Sequence, residues 1–187
     1  MQKVHFKRLN LANENRWLND AIVNALVRQR VASLPGLDFV SSLQWARFRE
    51  NHTRDSFYRG LDGDKIACPI NVDDAHWCCA YIDFTAREIK CYDPYQRARP
   101  AHAATAANLA AHVLRCRGES TDLSSWTVDE NAEGPMQVNN AIDCGVFVTC
   151  YLMCEAMGIN HHRVFRQEDM PFIRDRLAYE LLMATES

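Results

Sequence analysis

Hydrophobic positions change period several times along this chain, and each change marks an element. Leu18, Ala21, Ile22, Ala25 and Leu26 recur at three- and four-residue spacing, which predicts a helix running to about Arg30 and stopped by Pro35-Gly36. Asn13 or Asn15 could cap it. Phe39, Val40, Leu43, Trp45 and Phe48 suggest a short helix, and the polar run Asn51 to Asp64 suggests a loop. The apolar run Ile66 to Val72 predicts a short buried strand, with Pro69 placing it at an edge or an end. His76 to Phe84 and Glu88 to Tyr92, joined through Thr85-Ala86-Arg87, predict a hairpin that Asp93-Pro94 ends. Ala103, Ala106, Ala107, Ala110, Val113 and Leu114 line a further helix with Gly118 as its C-cap. A strand is expected over Ser124 to Asp129 around Trp126. From Cys144, the spacing of Phe147, Cys150, Tyr151, Cys154 and Met157 predicts a buried helix ending at Gly158. Met170, Ile173, Leu177 and Leu181 predict a last helix that begins near Pro171. The order predicts an α+β fold, with helices around a central, largely antiparallel sheet.

The length of 187 residues suits one domain over 1–187. A net charge of −3 with interspersed signs gives no basic stripe for nucleic acid. No apolar stretch reaches the length of a membrane span, and the N-terminus has no apolar core of a signal peptide. Eight cysteines lie mostly inside apolar runs, without a C-x-x-C pair. That usage argues for reduced thiols in a cytoplasmic or nuclear setting and against a zinc site. Cys78 and Cys79 should face opposite sides of their strand.

Candidate chemistry centres on Cys144. A thiol at a helix start sits among unpaired N–H groups, which favour the thiolate. The competing explanation is a core cysteine that merely opens a helix. A nucleophile needs a base and an orienting group. His76 begins one strand of the hairpin and Asp93 follows the end of the other, 17 residues on, so antiparallel pairing brings them together. The remaining histidines have no comparable placement; His102 and His112 fall on a surface-type helix. An oxyanion needs aimed donors. The Cys144 N–H is one, and the side chain of Gln137, seven residues upstream, is a second.

Together these residues resemble the ubiquitin-like-protein proteases, a group of SUMO proteases, deneddylases and adenovirus-type cysteine proteases. Trp17-Leu18-Asn19-Asp20, Pro69-Ile70-Asn71 with His76-Trp77, Asp143-Cys144-Gly145, and Phe165-Arg166-Gln167-Glu168-Asp169-Met170-Pro171 with Arg174 follow that family's motifs in order. The resemblance implies a papain-like-type core and a Cys144–His76–Asp93 triad with Gln137 in the oxyanion hole. It implies that Trp17 and Trp77 flank a narrow passage for a Gly-Gly tail and that Asp20 contacts the modifier. Ubiquitin or a ubiquitin-like protein such as SUMO, with its conjugates, is the implied partner of a monomeric enzyme needing no metal or cofactor. Such an enzyme would work in a cell's own cytoplasm or nucleus, or as a secreted effector in a host cell. The chain departs from the commoner pattern at Val138 and Asn140-Ala141-Ile142, and the longer Gln–Cys spacing resembles the adenovirus-type branch. Asn139 or Asn140 could replace Gln137 as the donor. An acetyl-CoA-dependent transferase of the same clan and an inactive modifier-binding domain are the alternatives.

Overall fold

The computed structural model describes residues 17–31, 33–50 and 56–184. Among the described residues, five strands form one mixed sheet in the order β1 (Leu37–Phe39), β2 (Lys65–Val72), β3 (His76–Asp83), β4 (Glu88–Tyr92), β5 (Thr127–Asp129). The two long central pairings, β2 with β3 and β3 with β4, are antiparallel; the short outer strands run parallel to their neighbours. β1 lies where the sequence suggested no strand. Three residues are too few to show a period, and pairing with Lys65–Ala67 defines the strand. That limited pairing also explains Pro69. It lies inside β2, but past the point where β1 covers that edge, so its missing N–H costs no ladder bond on that side.

Successive residues of β3 feed opposite faces. Trp77, Cys79 and Tyr81 join the core beneath α1 (Asp20–Val31), α4 (Cys144–Met157) and α5 (Met170–Ala184). Cys78, Ala80 and Ile82 join the core beneath α2 (Ser42–Arg49) and α3 (Pro100–Cys116). The adjacent cysteines therefore do face opposite sides. A strand buried on both faces reads as a continuous apolar run, as this one does.

Helix starts follow local chemistry. Asn19 opens α1, its Oδ1 accepting from the Ile22 N–H at 3.0 Å. Asn13 and Asn15 lie outside the described residues. α1 buries Ile22, Val23, Leu26, Val27 and Val31, while Ala21 faces solvent. α2 starts with a capping box in which Ser41 and Gln44 exchange side-chain and backbone bonds. Within the stretch expected to be loop, Ser56–Gly60 forms a short 3-10 turn. Gly158 closes α4 in the left-handed conformation, φ 64°. One expectation fails on α3. His102 is buried rather than on the surface, its ring edge-on to Trp45, because α3 packs over α2 as well as over the sheet.

Candidate active site

His76 and Asp93 meet at one end of the central hairpin. Register explains this: Cys79 pairs with Tyr92, so the start of β3 and the residue following β4 project from the same end. His76 Nε2 lies 2.8 Å from Asp93 Oδ1. Asp93 is fully buried, and its carboxylate collects further donors: the Tyr95 N–H at 2.8 Å and Arg99 Nε at 2.6 Å. Burial pushes its pKa up, but the bonds from His76, Tyr95 and Arg99 and the His76 charge outweigh burial and hold it down at about 2. Arg99 escaped the sequence reading. It is the residue before Pro100 at the start of α3, six past Asp93, and only the turn after β4 brings it back.

Cys144 is the first residue of α4 and is buried. Backbone N–H groups of Trp77, Gly145 and Cys144 itself are directed at its sulfur. Trp77 directly follows His76, so the sulfur lies against the very start of β3. These donors and the positive charge of Arg174 pull the thiol pKa down, but burial is the larger effect and raises it above its ordinary value. The expectation that a helix start alone favours the thiolate is thus corrected: in this closed site desolvation wins.

The Asp143 carboxylate makes no capping bond to its own helix. It is held instead by Arg174 Nε at 2.6 Å, Gln167 Nε2 at 3.0 Å and Asn140 Nδ2 at 2.9 Å. Arg174 also donates to the Ile142 carbonyl at 2.6 Å, and Gln167 Oε1 accepts from the Val138 N–H at 3.0 Å. The motif at the start of α5 therefore braces the loop that leads to Cys144. Gln137 is buried in that loop, where its amide nitrogen donates to the Asn140 carbonyl and Oδ1, each at 2.9 Å. Its Oε1 has no partner among the described residues. Asn140 Oδ1 in turn accepts from the Ile142 and Asp143 N–H groups. Asn140 is the hub of the loop, a role visible only once the chain turns back on itself.

The two indoles differ. Trp77 is in the core, its Nε1 donating to the Leu18 carbonyl at 2.8 Å, whereas Trp17 is 40% exposed. That bond places Trp77 one residue from Trp17, beside the Cys144 loop. A Cβ on Gly145 would lie 3.0 Å from Val23 Cγ2 and 3.1 Å from Leu18 Cβ, so glycine lets α1 press against the start of α4. Asp20 sits in the first turn of α1, partly buried. Ligand atoms of His76, Cys78 and Asp93 lie within 4.8 Å of one another, close enough for a metal. However, His76, Tyr95 and Arg99 already occupy both oxygens of Asp93.

A buried thiol at a helix start and a histidine–carboxylate pair thus share one end of a mixed sheet that lies between two helical layers, an α+β architecture. The chain belongs to the Ulp1 protease family: the model of that family's C-terminal catalytic domain matches residues 16–185. It is 26% identical over 197 residues to the Arabidopsis thaliana ubiquitin-like-specific protease 1A, covering 94% of this chain and 38% of that one. It is 32% identical over 120 residues to a Caenorhabditis elegans sentrin-specific protease, covering 64% of this chain and 17% of the relative. The chain thus spans well under half the length of these relatives. Among solved structures, the C-terminal Ulp1 protease domain in complex with Smt3, the yeast ortholog of SUMO, superposes with a TM-score of 0.82. Its sequence identity is 19%, with 97% of this chain and 83% of that chain covered. The Xanthomonas campestris effector XopD, bound to ubiquitin, superposes at 0.58 with 20% identity, covering 88% of this chain and 91% of that one. Among the described residues no helix is long and apolar enough to cross a membrane.

Proposed function

We propose that this chain is a cysteine peptidase domain that cleaves after the C-terminal Gly-Gly of a ubiquitin-like modifier, SUMO or ubiquitin being the candidates. The observation that carries the proposal is the His76–Asp93 bond formed beside the Cys144 sulfur, in a chain of the Ulp1 family. Cys144 attacks the glycine carbonyl carbon while His76 takes the thiol proton. The tetrahedral oxyanion collapses to a thioester, and His76 returns the proton to the departing lysine or α-amine. Water, deprotonated by His76, then releases the modifier's carboxylate and restores the thiol. With Asp93 on Nε2, Nδ1 is the ring nitrogen left to exchange protons with sulfur, and Asp93 stabilises the imidazolium.

The N–H groups of Cys144 and Gly145, both directed at the sulfur, supply donors for the oxyanion. Gln137 contributes when one of its amide protons leaves Asn140 for the oxyanion; the loss of one such donor typically costs roughly 3 kcal/mol. Trp17 and Trp77 bound the passage for the glycine tail, and a Cβ there would collide with indole. Asp20, partly buried at the start of α1 near Trp17, is a contact for the modifier body.

C-terminal electrophilic derivatives of SUMO, ubiquitin and other modifiers test this directly. At least one should label the wild type on Cys144, and none should label Cys144→Ala. Folded wild type that resists the whole panel would refute the proposal.

A further inference from the structure

Tyr95 lies two residues past Asp93, and its side chain belongs to none of the roles above. Its ring stacks on the His76 imidazole, centroids 4.9 Å apart and planes inclined by 19°. The Arg97 guanidinium carbon also lies 5.1 Å from the Tyr95 ring centroid. Tyr95 donates its backbone N–H to Asp93 Oδ1, the oxygen that holds His76. Its hydroxyl donates to the Asn140 carbonyl at 3.1 Å and receives a long bond from Gln137 Nε2 at 3.4 Å. One side chain therefore touches both halves of the site, the base with its carboxylate and the loop that delivers nucleophile and oxyanion donors. The other links between those halves are made by the backbone: the Gln137 N–H donates to the Pro94 carbonyl at 2.8 Å, and the Trp77 N–H is directed at the Cys144 sulfur. His76 and Asp93 ride on the hairpin, whereas the loop is braced from α5.

We propose that Tyr95 is a positioning residue that sets the imidazole plane of His76 and, through its hydroxyl, the 137–143 loop, so that base and oxyanion donors stay in register. The stack restricts the imidazole to one plane, and within that plane the Asp93 bond selects the orientation with Nε2 on the carboxylate. The hydroxyl holds Asn140, the acceptor for the Gln137 amide, and so governs which way that amide points. This role rests on the peptidase reading above. The two functions of the side chain separate by substitution: Tyr95→Phe keeps the stack and loses the hydroxyl, and Tyr95→Leu loses both.

The experiment compares both variants with the wild type, each checked for a native melting transition, in two assays. The first follows hydrolysis of SUMO and ubiquitin C-terminal coumarin amides. The second follows iodoacetamide alkylation of Cys144, resolved from the other cysteines by peptide mass spectrometry. Alkylation reports on the sulfur and its base and needs no oxyanion hole. Tyr95→Phe should lower kcat roughly two- to tenfold, the range for one lost hydrogen bond, with KM and alkylation rate unchanged. Tyr95→Leu should lower kcat further and slow alkylation at least threefold, with Tyr95→Phe standing as its rescue. A Tyr95→Phe enzyme with wild-type kcat, or with only KM raised, overturns the proposal. So does a Tyr95→Leu enzyme whose Cys144 alkylates at the wild-type rate. If wild type turns over neither amide and also resists the whole panel of modifier probes, the peptidase reading fails separately, and the alkylation rates, which require no substrate, still decide the role of Tyr95.

Discussion

Arg174 offers the sharpest test of how α5 braces the segment that leads into Cys144. Arg174 is 4% exposed, and its guanidinium bridges α5 to the Asp143 carboxylate and the Ile142 carbonyl. Asp143 is itself buried and immediately precedes Cys144. Arg174→Met keeps the apolar stem and removes the charge and the donors. Asp143 then remains buried with only two neutral side-chain donors, Gln167 and Asn140. Breaking a buried ion pair costs about 3–5 kcal/mol, mostly the penalty of the stranded charge. The two remaining donors favour the lower end, about 3 kcal/mol. At about 2–4 °C per kcal/mol for a chain of this size, the melting temperature should fall by roughly 6–12 °C. The cationic pull on the sulfur also disappears, so the midpoint of Cys144 alkylation against pH should move upward. The double variant Asp143→Asn with Arg174→Met leaves no stranded charge and should regain about half of the loss. Denaturant titration of the four proteins gives the coupling. A single variant within 1 kcal/mol of wild type, or a double variant no more stable than the single, would refute the argument.

Further expectations follow from the same geometry. Gly145→Ala puts a methyl 3.0–3.1 Å from Val23 and Leu18, which should push α1 away, cost about 1–3 kcal/mol in denaturant titration and lower kcat; unchanged stability would show that α1 yields freely. Asp93 has a folded pKa of about 2, below its ordinary 3.8, so its contribution is fully present above about pH 4 and is lost as pH falls through 2. Stability measured across that window should drop by about 2 kcal/mol more in wild type than in Asp93→Asn, and parallel curves would contradict the assignment.

Much of the candidate site was legible without coordinates because its main parts sit at element boundaries. His76 opens a strand, Asp93 follows its partner strand, and Cys144 opens a helix, so hairpin pairing and a change of hydrophobic period were enough to single them out. The helices from 100 to 116, 144 to 157 and 170 to 184 were legible for the same reason: periodicity and glycine stops act within a few residues. β1 was not, since three residues carry no period and the partner strand begins 26 positions further on.

What the tertiary structure alone decided are the interactions whose partners have no local signature. An arginine at the start of a helix holds Asp93, a tyrosine stacks on His76, and an arginine on the last helix holds Asp143. The balance on the sulfur belongs to that list as well. Local sequence predicts the helix-start N–H groups that lower the Cys144 pKa, but the burial that outweighs them is set by how β3, α1 and α4 close around it. Covalent neighbours dictate propensity and periodicity; desolvation and charge pairing depend on which distant atoms fill the space around a group, and only the packed chain supplies those.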